Sequence, residues 1–540
     1  MRYKTTIFYF FASVLPVCIA LSGLSDLTPW VDEVMFVDAP MHYVQGKGWT
    51  THSWYSIANQ QPFLLYPPLY SMTLVPWMKV FGTGIIACRS LNVAVTLFVG
   101  WGLIRILQQL NQRISIIQVL LLIILLWYTS DMVFMYSNGR PDLMGALFLV
   151  FIVNEMIRTF KSGKRKWSIF ILSAFLITTS IQAAVCLVIL LLLSFFVLET
   201  YRKDIMHLAF LSVSGIFMGF IMICAFMAYH GHLISFVVNI FSYSGTAKAV
   251  TAFILPIMGD CIGIDTGYYL EKLSKMGVES PLYMRLIAAF TRPAYVLLLI
   301  ADFIFFLVYL KHFKREPCYM IIKYLFVMTA GIPLLMVYAG RFEPYYYWMA
   351  YLPLFLLTVL LFKLPNYRWG YFVIAISVLF ILTHDRAQKD SNDYHELESF
   401  ISHCTMLKDK RIIAPFSVFY AISELSCTTY YLGILPPQYL PDEIDCIILP
   451  DRSADYGNHH LYDFFEAASQ CDSLQWVLVA ENKRPELKVY FKNLSVEELR
   501  SGVPCRGAKT KCFAKKWPVR RQNRKKSTNF AASKIARRHD

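Results

Sequence analysis

The chain is built around apolar runs long enough to cross a bilayer, the first from about Ile7 to Leu24, with others near 85–107, 114–134, 141–158, 167–181, 183–198, 207–229, 286–310, 320–338, 345–362 and 368–384. Hydrocarbon offers no partner to a backbone N–H or C=O, so a run of about 20 apolar residues is stable there only as a helix. Eleven such runs in 540 residues, of which 56% are hydrophobic and 16% charged, predict a polytopic α-helical membrane protein and exclude an ordinary water-soluble domain. The first run follows Arg2 and Lys4 as a secretory leader would. No small-residue cleavage site follows it and further spans do, so it reads as a retained first helix.

Lys and Arg collect in cytoplasmic loops, which orients the spans. Arg105 and Arg113 flank one turn, Lys161 and Lys164-Arg165-Lys166 fill the next, and Arg202-Lys203, Lys311 to Arg315 and Lys363 to Arg368 follow. The expected N-terminus is therefore cytoplasmic, and an odd number of spans puts the C-terminal region outside. Three outside segments result: a first loop at 25–84, a loop at 230–283, and everything after 385. The first loop carries apolar stretches suited to short interfacial helices, Val34-Met35-Phe36 and Pro68 to Phe81, and its Trp30, Trp49, Trp54 and Trp77 fit an aromatic belt.

Beyond the last span the pattern changes. Short apolar runs at Arg411–Ala414, Ile444–Leu449 and Trp476–Ala480, after a helical stretch at Tyr394–Cys404, predict a small α/β extracytoplasmic domain at 386–505. The net charge of +15 does not point to nucleic acid, because much of the basic excess lies between Arg506 and Arg538, in a 506–540 tail with no apolar periodicity. Such a tail is either solvated or held against anionic headgroups of membrane lipids. The 12 cysteines include no C-x-x-C pair or Cys/His cluster at ligand spacing. Cys404, Cys427, Cys446, Cys471, Cys505 and Cys512 fall in the outside region, where disulfides and free thiols are both open.

Asp32-Glu33 stands just beyond the first span, where a carboxylate must be hydrated, paired or used. One reading is the start of a helix near Val34, whose dipole the acids stabilise by about 0.3–1 kcal/mol. The other is a general base that takes a proton from an acceptor hydroxyl. Asp38, near the opposite face of the same helix, is a weaker candidate. Arg140 and Asp142 occupy the outside turn between the third and fourth spans, either as an interfacial salt bridge or as a phosphate holder whose arginine Asp142 orients. Arg292 and Arg341, the latter beside Glu343, add cations at the outer starts of the eighth and tenth spans. Tyr345, Tyr346, Tyr347 and Trp348 form an aromatic belt or a stacking surface for a sugar or prenyl chain. Asp302, in mid-span, is either paired within the bundle or functional, and His42, His52, His230 and His232 lack metal-ligand spacing.

The order of Trp30-Val31-Asp32-Glu33, a Gly46-Lys47-Gly48 turn, Tyr66-Pro67-Pro68-Leu69-Tyr70, Phe81-Gly82 and Arg89 at the head of the next span resembles the GT-C glycosyltransferases. Within them it is similar to the branch of protein O-mannosyltransferases and of the aminoarabinose-type transferases that add sugars to lipid A. Gly139-Arg140-Pro141-Asp142 and the Arg341–Pro353 stretch extend the likeness over residues 1–385. The resemblance implies a sugar donor on a polyprenyl phosphate, a lipid, glycan or protein acceptor on the outer face of the cytoplasmic membrane (periplasmic in a bacterium), and inversion at the anomeric carbon. It gives Asp32 the place of the catalytic acid and Glu33 that of its companion. Some lipid A transferases have Lys or His before the Pro-Pro pair where this chain has Tyr66, which moves the expected donor phosphate contact to Arg140, Arg341 and Arg292. Asp142, Tyr66, Arg89 and Tyr345 are then supporting residues. No cofactor is required, since arginines can stabilise a phosphate leaving group without a metal; a divalent metal is also compatible, with Asp32, Glu33 and an outside histidine as ligands. A lipid or solute transporter or flippase is the competing class. Such proteins often carry internal repeats, of which none is clear, and the strong charges here gather at one face. A scaffold or polymerase partner with a degenerate site is the third.

Overall fold

The computed structural model describes residues 2–51, 66–110, 114–163, 167–231, 233–234, 236–237, 293–308, 319–338, 346–362, 375, 378–379, 394–423, 425, 428–431, 444–450, 461–462, 465, 476–483, 486–492 and 515–516. Its residues group into two compact units, Met1–His395 with Phe416–Tyr420, and Glu396–Pro415 with Ala421–Asp540.

The first unit is helical. In chain order it contains α1 (Arg2–Ser22), α2 (Val31–Val44), α3 (Leu69–Phe81), α4 (Ile85–Gln109), α5 (Ile116–Tyr128), α6 (Ser130–Tyr136), α7 (Asp142–Ser162), α8 (Ser168–Thr179), α9 (Ile181–Val197), α10 (Arg202–Tyr229), α11 (Pro293–Val308), α12 (Tyr319–Tyr338) and α13 (Trp348–Leu361). Ten of the eleven expected spans hold helix; the eleventh, 368–384, lies almost wholly outside the described residues. Among the described residues five helices are long and apolar enough to cross a bilayer outright, at Tyr3–Ser22, Ile85–Gln109, Asp142–Ser162, Glu199–Tyr229 and Tyr319–Val337. The bent pair α5–α6 makes a sixth if counted as one span, and the apolar parts of α8, α9, α11 and α13 are shorter, at 10–17 residues.

Local chemistry sets several of these ends. Ser115 caps α5 in a reciprocal box with Gln118, whose amide reaches on to the Val359 carbonyl at 2.7 Å and joins α5 to α13. At Ser180 the chain turns extended, with φ −153° and ψ 119°, and its hydroxyl accepts from Ala183 N–H, so the apolar stretch becomes two helices. Gly215 and Gly219, one turn apart on α10, let that helix approach α8 so closely that a Cβ at Gly215 would sit 2.2 Å from the Phe170 carbonyl. At Thr129 the expected 114–134 span breaks, and α6 leaves α5 at 66°. That bend carries the chain into the Ser137–Pro141 turn, which holds Arg140.

The second unit contains a six-stranded sheet of β1 (Arg411–Ala414), β2 (Thr428–Tyr431), β3 (Cys446–Pro450), β4 (Trp476–Lys483), β5 (Glu486–Lys492) and β6 (Lys515–Lys516), in the order β2-β1-β3-β5-β4-β6. β1 pairs in parallel with β2 and β3, and the remaining pairings are antiparallel. β3 is buried at every position, as a central strand should be, and Ile413, Ile444, Ile447, Leu449, Leu461, Trp476 and Tyr490 form its core. β6 falls in the tail expected to lack structure: Lys515 and Lys516 pair with Leu478 and Val477 along the edge of β4, which would otherwise present unpaired backbone groups. Cys404 and Cys446 are free thiols, and burial pushes that of Cys446 well up; the other four cysteines of the C-terminal region lie beyond the described residues.

Asp445 ties the head of β3 to β1, accepting from the Arg411 backbone N–H at 3.0 Å and from its guanidinium at 3.3 Å. Partial burial raises its carboxyl, and the bonds from Arg411 outweigh this and leave it below the usual range. A depressed carboxylate contributes stability that is present above its unfolded value and lost as pH falls through the folded one. Asp445→Asn is therefore expected to flatten the acid limb of stability against pH, by less than about 1 kcal/mol for so exposed a pair, as read by denaturant unfolding at several acid pH values.

Candidate active site

α2 begins at Val31, three residues before the expected start, with Trp30 as its N-cap at φ −99°, ψ 153°. Asp32 and Glu33 therefore lie inside the first turn, where the helix dipole favours both. Adjacent helical residues point about 100° apart, so the two acids face different surroundings.

Glu33 faces inward and is fully buried, as is its partner Arg89. Arg89 Nε and Nη2 donate to the two Glu33 oxygens at 2.7 and 2.6 Å in a parallel fork. Its Nη1 donates to the Leu24 and Leu27 carbonyls at 2.5 and 2.8 Å, and Nη2 also reaches the Thr28 carbonyl at 3.4 Å. The five N–H donors of one guanidinium are all used. Arg89 on α4 thus holds both the α1–α2 turn and the first turn of α2. Tyr420 completes the arrangement, its hydroxyl donating to Glu33 Oε1 at 3.0 Å. Burial and then the Glu33 charge push that phenol well above its usual range, so it stays a neutral donor. This geometry gives Glu33 the part of an anchor, enclosed by donors on both oxygens. Tyr420 was not expected as a site residue, because nothing near it in sequence marks it.

Asp32 faces the other way. Its side chain keeps 24% of its exposure, and one oxygen accepts from Arg140 Nη1. Arg140 also donates from Nε to Asp142 Oδ2 at 2.8 Å, and its guanidinium lies 5.1 Å from the Trp30 ring and 6.0 Å from that of Phe36. Asp142, the first residue of α7, is even more enclosed than Arg140, at 3% against 5% exposure. The turn bearing Arg140 is held by Asn92 on α4, whose amide donates to the Asn138 and Arg140 carbonyls at 2.5 and 2.9 Å. Asn92, one turn beyond Arg89 on α4, thus holds the Arg140 turn while Arg89 holds the acidic one.

Gly139 is needed for this closeness. A Cβ there would meet Val37 Cγ2 at 2.9 Å and Glu33 Cγ at 3.2 Å. Gly139→Ala is expected to destabilise by about 1–3 kcal/mol, as overpacking does, and to move Arg140 away from Asp32. Thermal unfolding in detergent, beside affinity for a phosphate-bearing lipid, checks both parts.

Tyr66 meets Phe36 edge-on at 5.2 Å, and Phe36 lies beside Arg140. Asp38 points elsewhere, accepting from Thr51 at 2.6 Å and facing His42 at 3.5 Å, in a buried cluster that ties residues 50–51 to α2. Asp302 accepts from Thr358 at 2.6 Å and joins α11 to α13. Tyr346, Tyr347, Trp348 and Tyr351 are buried rather than arrayed as a belt; Tyr347 and Tyr351 pack against Tyr295, and Tyr351 donates to Asp131. Arg292, Arg341, Glu343, Tyr345, His52 and His232 lie outside the described residues. Among the described residues no three His, Cys, Asp or Glu side chains are grouped to hold a metal ion.

No family model matches the chain, and no curated protein matches it. Solved structures do. The chain is similar to ArnT from Cupriavidus metallidurans bound to undecaprenyl phosphate, with a TM-score of 0.59 and 9% identity, over 91% of this chain and 98% of that one. A likeness to the apo oligosaccharyltransferase of Archaeoglobus fulgidus has a TM-score of 0.46 and 10% identity, over 87% of this chain and 73% of the other. Its apolar helices and its likeness to ArnT along nearly the whole of both chains make this a multi-pass membrane protein with the GT-C fold.

Proposed function

We propose that the chain is a membrane glycosyltransferase that moves a sugar from a polyprenyl-phosphate donor to a hydroxyl of a lipid, glycan or protein acceptor, with inversion, on the outer face of the cytoplasmic membrane. The observation that carries the reading is the Asp32–Arg140–Asp142 constellation: one carboxylate open to water, beside a guanidinium that a buried carboxylate holds in place. Its setting supports the same reading, since the ArnT structure of like fold was obtained with undecaprenyl phosphate bound.

In this reaction the acceptor oxygen attacks the anomeric carbon while Asp32 takes its proton. The bond from that carbon to the phosphate oxygen breaks, and the electron pair leaves with the polyprenyl phosphate. The charge that grows on the leaving group is met by Arg140, which Asp142 and the Trp30 face hold ready, so little reorganisation is needed as the bond breaks. Arg292 and Arg341 are further cations for the same phosphate. A single displacement from the face opposite the phosphate inverts the anomeric centre. Glu33, Arg89 and Tyr420 keep the Asp32 backbone fixed.

The test is to incubate purified protein in detergent with a panel of polyprenyl-phosphate sugars and membrane-derived acceptors. Release of polyprenyl phosphate with formation of an inverted glycoside is the expected result. Vectorial movement of intact donor across a vesicle membrane, without cleavage, would instead identify a flippase.

A further inference from the structure

Resting on the proposed reading, we infer that Asp32 is masked by Arg140 in the resting protein, and that the donor phosphate unmasks it by taking its place on the guanidinium. The argument turns on the unequal burial of the two carboxylates that share Arg140. Asp142, on Nε, is 3% exposed, whereas Asp32, on Nη1, is 24% exposed. Releasing Asp142 would leave a buried carboxylate without its countercharge, a large penalty; releasing Asp32 leaves one that water can solvate. An anion that competes for this guanidinium therefore displaces Asp32 and leaves Asp142 where it is. The rings of Trp30 and Phe36 flank the guanidinium and limit its movement, so the exchange is a change of partner at one end of a fixed group. A phosphate monoester or diester matches the vacated hydrogen-bonding edge in charge and geometry. The consequence is an order of events. Without a donor, Arg140 holds Asp32 Oδ2; a donor phosphate on the guanidinium frees both Asp32 oxygens for the acceptor hydroxyl.

The test is a double-mutant cycle of undecaprenyl phosphate binding, measured in detergent on the full chain with wild type, Asp32→Asn, Arg140→Ala and the double variant. Direct repulsion between Asp32 and the phosphate acts in both backgrounds, so Asp32→Asn tightens binding in each. Competition adds the loss of the Asp32–Arg140 pair only where Arg140 is present. Asp32→Asn is thus expected to tighten binding about 2- to 5-fold more in the wild-type background than in Arg140→Ala. Equal tightening in the two backgrounds, or weakening by Asp32→Asn in wild type, overturns the exchange while leaving the proposed function standing. Failure of wild type to bind undecaprenyl phosphate at all overturns both. A structure of the lipid complex gives the same answer directly. It should show Arg140 Nη1 on phosphate and Nε still on Asp142, and an intact Asp32–Arg140 pair beside bound phosphate contradicts the exchange.

Discussion

Asp32→Asn is expected to lower sugar transfer by about 10²–10⁴-fold while the protein stays folded and still binds its donor. The substitution keeps the size of the side chain and the ability of one oxygen to accept from Arg140, so the Arg140 turn keeps its place. What it removes is the group that takes the acceptor proton. Stability should change little, because the side chain is partly exposed and its ion pair is weakened by water. The outcome separates Asp32 from its sequence neighbour, since Glu33 has both oxygens occupied by Arg89 and one shared with Tyr420. Saturating kinetics with donor and acceptor varied in turn, together with a thermal melt, distinguish a lost base from a damaged fold. A fall in turnover that tracks a fall in melting temperature contradicts this assignment.

Arg89→Ala is the second large effect, and it falls on stability. The guanidinium satisfies a fully buried carboxylate and three backbone carbonyls, those of Leu24, Leu27 and Thr28. Removing it leaves Glu33 with Tyr420 as its remaining described donor and strips the α1–α2 turn of its anchor. Breaking a buried pair by deleting one member costs about 3–5 kcal/mol, because the survivor is an uncompensated charge. Arg89→Ala is expected to lose that amount in denaturant or thermal unfolding and, with the turn released, to lose activity as well. Combining Arg89→Met with Glu33→Gln removes both charges and should recover part of the stability. A single variant as stable as wild type contradicts the anchor, and a double variant worse than either single one contradicts the claim that a buried unpaired charge causes the loss.

How much of this could be read from sequence depends on the distance over which each feature is determined. Apolar runs are local, so helices α4, α7, α10 and α12 lie where hydropathy put them. Arg140 and Asp142 are two residues apart, and their pairing was visible as an option. The break at Thr129 was not, because the 114–134 run is apolar on both sides of it and hydropathy carries no signal for a 66° bend. Strand β5 was missed although Leu487, Val489 and Phe491 alternate and are buried, for seven residues among charged neighbours gave a weak pattern. The separation of Asp32 from Glu33 required the fold itself. Glu33 meets Arg89 across 56 residues and Tyr420 across 387, and no local pattern tells an acid bound for such partners from one left facing water. Arg89 reads as the head of a span, and only the position of the α1–α2 turn beneath it shows why an arginine is needed there.

The measurement that bears most directly on the account is a single-turnover assay of polyprenyl-phosphate release, with donor and acceptor both saturating, on wild type, Asp32→Asn and Glu33→Gln side by side. The account predicts release by wild type, none by Asp32→Asn within many wild-type half-lives, and release by whatever fraction of Glu33→Gln remains folded. Release by Asp32→Asn at the wild-type rate, or release lost in Glu33→Gln with its fold and donor binding intact, would contradict it.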